Sequence, residues 1–107
     1  MKYVVTVLPR AQRQLYESAS WWAQHRSPEQ ASRWLDGFEQ ALASLEDNPE
    51  RCGLARENDA FSFTVRQLLY GLGRKKTHRA VFEVRGNEVI VYAIRHLAQQ
   101  DLTPDDT

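Results

Sequence analysis

A chain of 107 residues with 42% hydrophobic and 26% charged side chains can bury one core, which argues against a disordered tract or a fibre and leads us to expect a single domain over 1–107. Its fourteen Lys and Arg balance fourteen Asp and Glu, no apolar run could span a bilayer and no signal peptide is visible, so a cytoplasmic protein is expected. One cysteine cannot close an internal disulfide, and without a paired cysteine or clustered histidines a zinc site is not expected, so no metal or other cofactor is called for.

Lys2-Tyr3-Val4-Val5-Thr6-Val7-Leu8 is rich in β-branched residues and stops at Pro9, which suits the first position of a helix. The pattern predicts a strand over 3–8 and a helix over 10–25, in which Ala11, Leu15, Ser18 or Ala19 and Trp22 recur at helical spacing. Ser27-Pro28-Glu29-Gln30 then offers an N-cap, a proline at N1 and a glutamine at N3 able to close a capping box. Ala31, Trp34, Leu35, Phe38, Leu42 and Leu45 form one apolar stripe over a second helix, 28–46, ended by Asn48-Pro49. Trp22, Trp34 and Phe38 sit on the stripes and read as core rather than as a ligand box. Trp21 lies off the stripe, which leaves packing at the helix margin and exposure to a partner both open. Residues 50–63 show neither period and read as a loop crossing back to a sheet; Cys52, within it, has no recognisable catalytic context and is assigned no role.

Three β-type runs follow, 65–70, 77–85 and 89–95, expected as consecutive antiparallel strands. In the second, His78, Ala80, Phe82 and Val84 point one way and Arg79, Val81, Glu83 and Arg85 the other. In the third, Ile90, Tyr92 and Ile94 share one face, with Val89, Val91, Ala93 and Arg95 on the other. Between the first two runs, Gly71-Leu72-Gly73-Arg74-Lys75-Lys76 lacks the spacing and following helix of a phosphate-cradling loop and reads as a basic hairpin loop.

A single arginine on a strand ordinarily serves solubility. Here, however, residues 65–100 hold seven Lys and Arg against two acids, while 10–64 hold six against nine, and 101–107 add Asp101, Asp105 and Asp106 as an expected flexible acidic tail. The segregation predicts a cationic sheet surface carrying Arg66, Arg79 and Arg95, uncovered by the helices, with Arg74, Lys75 and Lys76 beside it, and an acidic or polyanionic partner. Glu83 and Glu88 flank a turn and form no acid–base pair. His25 reads as a capping or surface group and His78 as a packed one; His96, at the end of a strand, is the candidate acid or base.

Pro9-Arg10-Ala11 after the first strand, the run from Leu45 to Gly53 after the second helix, Val65 to Gly71, His78 to Phe82 and Ile94-Arg95-His96 resemble, in this order, the RelE/ParE superfamily of toxins from type II toxin–antitoxin, or plasmid stabilisation, systems. The resemblance covers nearly the whole chain. It implies an α+β fold, a small antiparallel sheet with both helices on one face, and a growth-inhibiting toxin neutralised by a cognate antitoxin whose C-terminal segment wraps around it. RelE-like members cut messenger RNA on the ribosome without a metal, using Lys and Arg on the sheet completed by a Tyr or His near the C-terminus; Arg66 and Arg79 match two of those cations, and Arg95 and His96 stand at the end of the set. The terminal arginine and tyrosine are missing after His96, where Leu97-Ala98-Gln99-Gln100-Asp101 follows. That departure favours the ParE-like activity, inhibition of DNA gyrase, over the ribonuclease, with a non-toxic antitoxin-binding relative as the third reading. Antitoxin or target contact is expected at Arg66, Arg74, Lys75, Lys76, Arg79 and Arg95.

Overall fold

In the computed structural model, which describes residues 2–106, strand β1 (Val4–Val7) passes almost directly into helix α1 (Pro9–His25), with Pro9 in the first turn, where a missing N–H leaves no helical bond unmade. Ser27 caps α2 (Pro28–Ala43), its Oγ accepting from the Gln30 N–H at 3.0 Å. The apolar stripes are the buried faces: Ala11 and Leu15 of α1 share a core with Trp34, Phe38 and Leu42 of α2. The second helix stops short of residue 46, tightening into a 3₁₀ turn at Ser44–Glu46 that still buries Leu45.

Strands β2 (Arg66–Tyr70), β3 (His78–Arg85) and β4 (Glu88–His96) pair antiparallel in succession, and β1 joins the free edge of β4 in parallel, giving the order β1-β4-β3-β2. The sheet is therefore mixed, which corrects the expectation of an antiparallel one. The cause lies in the helix hairpin. Helix α1 continues along β4, where Gln14 Oε1 accepts from the Ile94 N–H at 2.9 Å, and α2 brings the chain back until the Tyr3 N–H donates to the Glu46 carbonyl at 2.9 Å. The chain thus restarts from the end where β1 began, so β2 and β4 run in the same direction as β1.

The helices cover one face of the sheet, over Ala80, Phe82, Val89, Val91 and Ile94. Tyr70 reaches across from β2, stacks on Phe38 with ring centroids 4.4 Å apart, and donates from its hydroxyl to the Trp34 carbonyl at 2.9 Å. That approach explains a glycine in mid-helix: a Cβ at Gly37 would fall 2.2 Å from Tyr70 Oη.

The β3–β4 register shifts between Val81, opposite Ala93, and Phe82, opposite Val91, so Tyr92 is an extra residue, a β-bulge. Alternation in β4 breaks there. Val89, Val91 and Ile94 lie under the helices, while Tyr92 and Ala93 both face the other side, which corrects the expected grouping of Tyr92 with Ile94 and of Ala93 with Val91. The helix-free face is itself covered: Ala55 and Phe61 of the crossing loop, Val65 and the C-terminal Leu102 pack with Val81 and Ala93 as a second core. The segment expected to trail as a flexible acidic tail instead turns back under the sheet, with Leu102 buried and a 3₁₀ turn at Pro104–Asp106; Thr107 lies outside the described residues. No helix among the described residues is long and apolar enough to cross a membrane.

Candidate functional site

Strand alternation puts Arg79 on the helix-free face, yet its side chain is 0% exposed. Its Nη1 and Nη2 donate to Glu57 Oε1 and Oε2 at 2.6 Å each, and Nη1 also donates to Gln67 Oε1 at 3.0 Å. The same carboxylate accepts the Leu102 N–H at 2.8 Å. Burial pushes the Glu57 carboxyl up, but the Arg79 guanidinium and the backbone N–H groups of Glu57 and Leu102 outweigh it and hold the pKa at about 2. Glu57 is therefore ionised at any physiological pH, and the Arg79 charge is matched internally.

The expected surface of Arg66, Arg79 and Arg95 is not assembled. Arg66 lies opposite Phe82 across β2 and β3 and so shares the helix side, at the sheet edge, where its Nη1 donates to the Cys52 carbonyl at 2.7 Å and more weakly to that of Glu50 at 3.4 Å. Arg95 is half-buried on the opposite face and donates to the Gln100 carbonyl. Neighbouring cations are similarly engaged: Arg85 with Glu83 at 2.9 Å, and Arg56 with Asp101 at 2.6 Å. Charge counted along the chain overlooks such partners, because Glu57 and Asp101 come from segments without periodicity. Arg74, Lys75 and Lys76 do remain exposed together in the β2–β3 loop.

On the helix side, the last turns of α1 and the ends of β3 and β4 enclose a cleft of about 530 Å³, lined by Trp21, Trp22, Arg26, His78 and His96, with Thr77 at the end of the basic loop. His78 packs as the alternation indicates, its ring centroid 5.0 Å from that of Trp34 and 5.0 Å from that of His96, with Nδ1 2.8 Å from Thr77 Oγ1. Burial and then the neighbouring His96 draw its pKa down to about 4, so it is neutral near pH 7. His96 is exposed, and its Nδ1 accepts the Ala98 N–H at 3.0 Å, which leaves the proton of the neutral ring on Nε2. Trp21 is 48% exposed and stacks on His25, 4.6 Å between centroids, while His25 Nδ1 bonds the Trp21 carbonyl at 3.0 Å.

The one exposed histidine of the strand ends thus sits on the helix side with Arg26, and Arg79 and Arg95 on the other side of the sheet. Beyond these residues, the outer edge of β1 borders a second groove lined by Tyr3, Val5, Leu15 and Leu42, with Val4 60% and Tyr16 51% exposed. Sequence reasoning missed Glu57, for which no local signal existed. It also missed the cleft, although the off-stripe position of Trp21 and the strand-end position of His96 each pointed to it.

The family model of the ParE toxin of the type II toxin–antitoxin system parDE matches residues 5–101. No curated protein sequence matches the chain. Among solved structures, the chain is similar to one from the chromosomal ParDE toxin–antitoxin system of P. aeruginosa, with TM-score 0.70 and 20% identity, covering 89% of this chain and 96% of that one. It is also similar to one from the toxin–antitoxin complex RelBE2 of Mycobacterium tuberculosis, with TM-score 0.54 and 17% identity, covering 90% of this chain and 99% of that one.

Proposed function

The chain belongs to the family of ParE toxins of type II toxin–antitoxin systems, and from that premise we propose that it arrests growth by binding DNA gyrase and is silenced by a cognate antitoxin. The observation that supports gyrase over message is the burial of Arg79 against Glu57. A metal-independent ribonuclease needs cations aimed at the scissile phosphate from the same side as the group that moves the proton. Here Arg79 and Arg95 lie across the sheet from His96, and Arg66 is held by loop carbonyls.

A binding function asks instead for an accessible, chemically varied surface. The cleft with Trp21, Arg26 and His96, continued through Thr77 into Arg74, Lys75 and Lys76, is such a surface for the target. For the antitoxin, the outer edge of β1 has unpaired strand backbone and apolar neighbours in Val4 and Tyr16, suited to an added strand.

Induction in a bacterium, combined with gyrase and ribosome assays on the purified protein, tests the reading. The expected result is growth arrest with gyrase-dependent DNA damage, intact message, and full toxicity in His96→Ala. Removing the acid or base of a working nuclease lowers its rate about 10²–10⁴-fold. Loss of toxicity and of ribosome-dependent message cleavage in His96→Ala would replace the gyrase reading with the nuclease one, and no arrest at all would leave an antitoxin-binding relative.

A further inference from the structure

The cations around the sheet divide into two sets. Arg56, Arg66, Arg79, Arg85 and Arg95 are held by carboxylates or carbonyls of the chain itself, whereas among the described residues Arg26, Arg74, Lys75 and Lys76 are exposed and form no ion pair. The second set borders the cleft at the end of α1. Arg26 lines it beside Trp21, and Thr77, next to Lys76, brings the basic loop to it from the strand side. The loop is fixed in place. The Thr77 N–H donates to the Tyr70 carbonyl and the Leu97 N–H to the Thr77 carbonyl, each at 2.9 Å, and a Cβ at Gly71 would fall 1.9 Å from the Lys75 carbonyl oxygen.

Trp21 is the large apolar ring of the cleft that folding leaves 48% exposed. It is nevertheless held: His25 stacks on it with ring centroids 4.6 Å apart, and Trp22 meets it edge-on at 6.0 Å. Glu17, the carboxylate among the lining residues, stands one helical turn before Trp21, and Arg26 follows the last residue of the helix. At 1.5 Å per residue they lie about 13 Å apart along the axis, with the indole between them. A ligand seated here meets an acceptor at one end, an aromatic platform in the middle and cations at the other end.

We propose that the cleft and the basic loop bind single-stranded DNA, with one base stacked on Trp21 and the adjoining phosphates on Arg26, Arg74, Lys75 and Lys76. The inference rests on the gyrase reading for the identity of the strand, because the target's own substrate is DNA; part of the surface assigned above to the target then meets DNA. A volume of about 530 Å³ lies within the usual range of ligand sites, about 300–1,000 Å³. The cations continue past the cleft along the loop, which favours a strand over a free nucleotide. A base can offer its face to an indole only outside the double-helical stack, which favours an unpaired segment over a duplex. Glu17 repels phosphate and accepts from an amine such as cytosine N4, so the base points towards Glu17 and the backbone towards Arg26.

The probe is a fluorescein-labelled cytidine deoxyoctamer, titrated into the full-length protein without gyrase and read by fluorescence anisotropy. Trp21→Ser is expected to weaken binding about 5- to 100-fold, and Trp21→Phe, which keeps a ring, to bind within a few-fold of the parent. At about 0.7 per neutralised phosphate, the four cations give a log–log salt slope of about −3. Replacing Arg74, Lys75 and Lys76 together by glutamine, at exposed positions that carry no core contact, should bring the slope to about −1. Unaltered affinity in Trp21→Ser, an unaltered slope in the loop variant, or no binding of the octamer at about 50 mM salt overturns the proposal. So does a duplex of the same length that binds as tightly, or cytidine monophosphate that displaces the octamer at equal concentration. Because gyrase is absent from the titration, these outcomes leave gyrase inhibition to its own assays, and failure of those assays leaves the titration intact.

Discussion

Replacing Glu57 by glutamine isolates the buried charge of Arg79. Glu57→Gln keeps the shape of the side chain and an oxygen for the Leu102 N–H, but it leaves the guanidinium without a counter-charge. The two side chains are 0% and 1% exposed, and both nitrogen–oxygen distances are 2.6 Å, so the remaining charge has almost no access to water. Breaking such a pair from one side costs about 3–5 kcal/mol, against a total of about 5–15 kcal/mol for a domain of this size. In urea, at a slope of about 1–3 kcal/mol per molar, the unfolding midpoint is expected to fall by about 2 M. Removing both charges is a different perturbation. The double variant Glu57→Gln with Arg79→Met removes both charges while keeping an oxygen for the Leu102 N–H, and is expected within about 1 kcal/mol of the parent, or above it, so the two sites couple by several kcal/mol in a double-mutant cycle. A loss below about 1 kcal/mol in Glu57→Gln, the scale of an exposed pair, would show that water reaches Arg79 and that the helix-free face is open.

Acid sensitivity follows from two groups. Folded His78 titrates near 4 rather than 6.5, so the unfolded chain takes up the proton first: stability is level above pH 6.5 and falls between 6.5 and 4, by up to about 3 kcal/mol. Glu57, at about 2 folded against 4.5 unfolded, contributes stability that is lost as pH falls from 4.5 towards 2. Thermal unfolding across this range is expected to show both limbs; His78→Phe should flatten the upper one alone, and a slope that persists between 6.5 and 4.5 would assign it to another group. Gly37→Ala should gain about 1 kcal/mol of helix propensity yet lose about 1–3 kcal/mol by overpacking against Tyr70 Oη, a net destabilisation that Tyr70→Phe should largely relieve, since the next atom, Cζ, lies 3.2 Å from the added Cβ. A melting temperature raised by Gly37→Ala in the parent background would contradict the close approach.

The features legible in the chain are those governed by near neighbours. The helical stripe through Trp34, Phe38 and Leu42, the Ser27 cap and the alternation of β3 depend on residues a few positions apart, and the family resemblance rests on the same ordered motifs. The candidate site depended on residues far apart in the chain. Arg79 looked like a surface cation because its own strand places it on the helix-free face, and only the fold brings Glu57 to it from 22 positions away and Leu102 to Glu57 from 45. The bulge at Tyr92 likewise exists only against the register of the neighbouring strand, and it sets which of Ala93 and Ile94 meets the helices. Local periodicity determines which face a side chain points to; whether that face is open to water is decided by what distant segments of the chain lay over it, because desolvation and charge pairing depend on distance in space and not along the sequence.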